Sequence, residues 1–100
     1  MIRKAGDRMV LSGALTLGNA AELLRQGKAA IGDGARSVEF GEVGEIDSSA
    51  LALLLAWQRE SRRHGRALEI AGLPQGLTTI ARLYGVAEML TASPAAAAHH

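Results

Sequence analysis

The sequence predicts a single α/β domain, a largely parallel sheet with helices packed on it. Three observations predict this. Short apolar runs alternate with longer runs of helical spacing, giving strand, helix, strand, helix, strand, helix along the chain. Every helical run closes on glycine, at Gly32 and Gly34, at Gly65 and at Gly85. One hundred residues, 48% hydrophobic and 21% charged, suffice for one core and no more. That order implies parallel neighbours joined by right-handed crossovers.

The first strand is expected at Met9-Val10-Leu11-Ser12, closed by Gly13, with Lys4 to Arg8 as the arm of a preceding hairpin. Asn19 is placed to cap a helix from Ala20 to Ala30, with Ala20, Leu23, Leu24 and Ile31 on its apolar face. Ser37-Val38-Glu39-Phe40 alternates as a buried strand does, and Gly41 to Glu45 reads as a turn-rich connection. Ile46 then leads into Asp47-Ser48-Ser49, three candidate N-caps before a helix from Ala50 to His64. Glu60 can pair with Arg63 or His64 along that helix. Ala67 to Ala71 is a further strand, and Gly72-Leu73-Pro74 a turn in which Pro74 enters the next helix. Leu77, Ile80, Ala81, Leu83 and Tyr84 are its expected apolar face. The domain is placed at residues 1–91, and alanine-rich 92–100, ending in His99-His100, is expected to be a flexible tail without function.

Composition narrows the function classes. A net charge of +1 is too small for a nucleic-acid footprint. The basic run Arg59 to His64 contains Glu60 and reads as the solvated end of a helix, ahead of a phosphate or anionic-lipid site. Cysteine is absent, so disulfides and thiolate chemistry are excluded. Met1-Ile2-Arg3-Lys4 does not open a signal peptide. The longest apolar run, Ala50 to Trp57, falls well short of the roughly 20 residues that span a bilayer. A cytoplasmic protein without direct membrane insertion is expected.

The central helix carries more apolar residues than one face needs. At 100° per residue, Ala50, Leu51, Leu54, Trp57 and Ser61 share a broad face. Ala52, Leu55 and Ala56 lie off it, and Leu53 lies nearly opposite Leu51. Either neighbouring helices cover Leu53 and Leu55, or they are offered to a partner near the helix N-terminus.

No convergent catalytic set is evident, so an enzyme is not expected, nor any metal or cofactor. His64 precedes a helix-ending glycine, where a protonated ring complements the helix dipole. Gly32-Asp33-Gly34 and Gly41-Glu42-Val43-Gly44 lack the lysine of a phosphate loop. Asp47-Ser48-Ser49 places small polar groups at a helix N-terminus. The simplest reading is capping, and phosphate on Ser48 or Ser49 is the alternative.

Together these segments resemble the STAS family, the sulfate-transporter and anti-sigma-factor-antagonist domains. The resemblance lies in Gly13 to Thr16, Val38 to Val43, Ile46-Asp47-Ser48-Ser49-Ala50-Leu51-Ala52-Leu53-Leu54, Gly65 to Ile70 and the closing helix. It implies a sheet of about four to five strands, mostly parallel in its centre. Two branches follow. In the anti-sigma antagonist branch, an anti-sigma factor kinase phosphorylates a serine matching Ser49, although Ala50 stands here where glycine is usual. In the other, the domain is the small subunit of an Mla-type phospholipid-transport ABC complex. There it docks on the ATPase through a surface that includes the residue matching Ser48. Leu51 to Leu55 and Ile80 to Val86 look more like the transporter subunit. The length of the chain argues against the arrangement in which STAS is fused to a sulfate permease. The expected partner surface is Asp47, Ser48, Ser49, Ala52, Leu53 and Leu55. The expected location is the inner face of the inner membrane, through the partner.

Overall fold

A hairpin opens the chain. Ile2–Ala5 (β1) turns through Gly6 and Asp7 into Arg8–Leu15 (β2), so the first arm lies slightly earlier than Lys4 to Arg8. The computed structural model describes residues 1–85; the expected tail at 92–100 lies outside them. A short 3₁₀ turn, Leu17–Asn19, leads into Ala20–Gly32 (α1). Ser37–Ile46 (β3), Ser48–Arg63 (α2), Glu69–Ala71 (β4) and Gln75–Leu83 (α3) complete the fold. Helices α1 and α2 both end where the chain needs a left-handed residue, at Gly34 (φ 106°) and Gly65 (φ 74°). There the amides of Ala35 and Arg66 reach back to the carbonyls of Ala30 and Ser61.

The four strands lie in chain order, β1 antiparallel to β2 and the others parallel. Both crossovers step the same way along the sheet, so connections of one hand put α1 and α2 on one face. Met9, Leu11, Leu15, Val38 and Phe40 point into that layer, against Leu23, Ile31, Leu54, Trp57 and Leu77. The other face is charged, with Arg8 paired to Glu39 at 2.8 Å and Arg3 to Glu42 at 3.6 Å. Val10 lies between Arg3 and Glu39 by register and is still buried.

Helix α1 crosses α2 at Gly27. A Cβ there would lie 2.8 Å from Cζ2 of Trp57 and closer still to Nε1 and Cε2. The indole is fully buried and its Nε1 donates to the Leu24 carbonyl at 3.4 Å.

Two expectations need correction. Gly41 to Glu45 is not a connection: β3 runs through it to Ile46. The register slips twice, because Val10 and Ser12 pair with Glu39 and Glu42, and Gly13 and Leu15 with Val43 and Ile46. Each slip gives β3 one extra residue, a bulge that breaks the period of two and so hides the strand. Leu83 and Tyr84 do not join the apolar face of α3. They are 78% and 64% exposed, while Leu77 and Ala81 are buried.

Candidate functional site

The last residue of β3 delivers Asp47 to the start of α2. Its extended backbone donates to the Leu15 carbonyl at 3.2 Å, and its own carbonyl receives the Ala50 amide at 3.0 Å. The carboxylate then divides its two oxygens. Oδ1 accepts from the Ser49 amide at 2.8 Å, and Oδ2 accepts from the Leu17 amide at 3.0 Å. The amide of Leu17, then that of Ser49, holds the Asp47 pKa below its ordinary value, the Ser49 hydroxyl adding a smaller effect.

Asp47 alone caps the helix; Ser48 and Ser49 belong to its first turn. Through Oδ2 the cap also fixes the loop between β2 and α1. Asn19 braces that loop from within: its Nδ2 donates to the Ala14 carbonyl at 2.8 Å and its Oδ1 accepts the Thr16 amide at 3.0 Å. Asn19 is the N-cap residue of α1, as expected, but its side chain makes no cap bond there because its amide closes the preceding turn.

Between α1 and α2 lies an apolar trough of about 290 Å³, lined by Leu17, Ala20, Ala21, Leu24, Ser49, Ala52, Leu53 and Ala56. Alanines on both walls leave the space open, and Leu17 stands at its edge, 78% exposed. Ser48 and Ala52 are exposed beside it, and Ser49 is half-buried at the rim.

The predicted residues do not all share this surface. Ser49 and Ala52 line the trough, Ser48 stands exposed one helical turn before Ala52, and Asp47 reaches the Leu17 amide at its edge without lining it. Leu53 is 3% exposed and part of the core, so it is not an offered side chain. Helix α1 leans over it, which turns a residue on the far side of the helical wheel into the floor of the trough. Leu55 is half-buried against the core, 200° round the helix from Leu53 and outside the trough. The α1 wall was missed. Its signal was two small-residue pairs, Ala20-Ala21 and Ala52 with Ala56, that only the helix pairing brings together.

Among the described residues, no group of three His, Asp or Glu side chains is placed to hold a metal ion. No helix there is long and apolar enough to cross a membrane.

Residues 2–91 match the family model described as "Mlab, STAS domain". No curated protein matches the sequence. Among solved structures, the chain is similar to the anti-sigma factor antagonist SpoIIAA in its unphosphorylated form. The TM-score is 0.67 at 17% identity, over 97% of this chain and 90% of that one. The phosphorylated form of SpoIIAA, a Bacillus cell fate determinant, gives 0.64 at 17% identity over 99% and 96%. A candidate anti-sigma factor antagonist from Thermotoga maritima gives 0.70 at 14% identity over 91% and 82%. At these identities the structural likeness shows the fold: a STAS-type sheet with helices on it.

Proposed function

Because the chain belongs to the STAS-domain family described as "Mlab, STAS domain", we propose that it is a non-catalytic subunit that docks on the ATPase of an Mla-type phospholipid-transport ABC complex. Docking supports assembly and turnover of the ATPase, and holds the protein at the inner face of the inner membrane. The observation that carries this reading is the partly apolar surface at the start of α2, braced by the Asp47 hydrogen bonds. Ser48 and Ala52 stand exposed at a trough whose edge is the exposed Leu17, and Asp47 ties the first turn of α2 to the loop between β2 and α1. A partner that covers Leu17 gains roughly 1.5–3 kcal/mol from that side chain alone. The ordering cost is reduced, since the Leu17 backbone is already bonded to Asp47.

Co-expression with the ATPase tests the reading. Ser48→Asp puts a charge on the exposed rim, in the first helical turn where an acid is tolerated. The variant is expected to fold normally and to lose most of the co-purifying ATPase. Full recovery of the complex would remove this surface as the docking site.

A second reading has its own observation. Ser49 sits on the trough rim next to the Asp47 carboxylate, so a phosphate there would place about two negative charges on the same surface. That is how an anti-sigma-factor antagonist would be switched by its kinase. Mass spectrometry of the protein from its native cells separates the two. Phosphate on Ser49 with a kinase bound supports the switch; unmodified serines with an ATPase bound support the transporter subunit.

A further inference from the structure

The trough does not end at Ala56. The same alanine borders a second hollow of about 430 Å³, lined by Lys28, Arg59, Glu60, Arg62 and Arg63. Two hollows thus follow one another along α1 and α2 with Ala56 as their common wall, a furrow that is apolar at the Ser49 end and basic at the Arg63 end. The single carboxylate in the basic half is already engaged: Glu60 accepts from Arg63 at 3.0 Å and faces His64 Nε2 at 3.2 Å. Among the described residues, Lys28, Arg59 and Arg62 have no ion pair or hydrogen-bonded side-chain partner. Arg62 and Arg63 lie in the last turn of α2, where the helix dipole accounts for cations. Lys28 and Arg59 precede the last turns of their helices, so the dipole does not account for them.

We propose that this furrow takes an amphipathic helix of the partner, its apolar turns on Leu17, Leu24 and Ala52 and a cluster of carboxylates between Lys28 and Arg59. The inference deepens the docking function above and rests on it. The walls explain why the occupant is a helix. Both are helices whose interior N–H and C=O groups are bonded within themselves, so they offer none to an extended strand. An extended segment would leave its own backbone unpaired in an apolar trough, whereas a helix arrives with its backbone satisfied. Ser49 to Arg63 spans roughly 20 Å at 1.5 Å per residue, about four turns of the incoming helix. Alanines at 20, 21, 52 and 56 let its axis come close. Charge fixes its direction, because only one end of the furrow is basic.

The experiment uses the full chain in its native complex. The sequence holds no cysteine, so Ala52→Cys carries a single photo-crosslinker at the apolar end. A carbodiimide joins the Lys28 amine directly to any carboxylate in contact with it. The expected result is one partner helix bearing both links, its Asp or Glu on Lys28 and an apolar residue one to three turns away on position 52. Lys28→Glu with Arg59→Glu should then weaken the complex at least tenfold with unchanged thermal unfolding. A tenfold loss that disappears when salt is raised would match the exposure of both cations. If Ser48→Asp releases the ATPase while the charge reversal changes its affinity less than twofold, this inference falls and the docking function stands. If the doubly linked helix belongs to a kinase, the transporter reading falls and the inference stands. Loss of bound lipid or nucleic acid from the reversed variant, with protein binding unchanged, would overturn it in favour of those ligands.

Discussion

Helices α1 and α2 meet in two very different ways within four turns. At Gly27 the backbone of α1 lies against the Trp57 indole with no room for a methyl group. Beside Ala21 and Ala52 the same two helices leave a trough of about 290 Å³. One contact is closed by a glycine opposite the largest side chain in the chain; the other is held open by alanines on both sides. The difference separates two jobs. The closed contact sets the distance between the helices, and the open one inherits its width from that distance. Stability should therefore be sensitive at one end and recognition at the other.

The largest effect should come from the floor of the open trough. Leu53→Asp buries a carboxylate in the core and should cost about 3–5 kcal/mol in urea unfolding followed by Trp57 fluorescence. A loss under 1 kcal/mol would mean that α1 does not cover this residue, and the comparison would collapse.

Gly27→Ala comes next. Alanine favours a helix by about 1 kcal/mol over glycine, but here it drives a methyl group into a buried, hydrogen-bonded indole. A net loss of about 2 kcal/mol is expected. Pairing it with Trp57→Leu in a double-mutant cycle should show coupling above about 1 kcal/mol. Additive losses would show that the close approach is not what positions the helices.

A smaller effect is expected from Asp47→Ala, which frees the amides of both Leu17 and Ser49. Melting should fall by about 5 °C at neutral pH. Because the folded-state pKa of Asp47 lies below its ordinary value of 3.8, its contribution is complete above that value and is lost as pH falls further. The gap between wild type and variant should narrow in acid; a constant gap would mean that the carboxylate is not responsible.

Ala52→Asp acts on the open end alone. On the exposed rim it should move stability by no more than about 0.5 kcal/mol while weakening the complex in a pull-down.

Much of this was legible in the sequence because it is local. Glycines after helical runs marked the ends of α1 and α2, and Asp47-Ser48-Ser49 marked the start of α2 without showing which of the three caps it. The parallel order followed from element alternation. What escaped reading is what joins distant segments. The Asp47 carboxylate meets the Leu17 amide across 30 positions, and no pattern in either segment signals the other. Ser37 to Phe40 read as a strand, but the rest of β3 hid behind Gly41 and Gly44, since two bulges erase the alternation by which a strand is recognised. Leu53 was ambiguous because a helical wheel gives a direction and says nothing of which neighbour fills it. Helix α1 is that neighbour, through Ala20, Ala21 and Leu24, and only the tertiary pairing brings it there.

The shared carboxylate has a consequence for a newly made chain. Oδ1 and Oδ2 of Asp47 can reach Ser49 and Leu17 together only after β2 and β3 have joined in their bulged register, because that pairing brings Leu15 beside Ile46. The rim is thus completed only when β2 and β3 pair in this register. A chain in which they have not paired has no such rim to show, and a partner that reads the rim would pass it over.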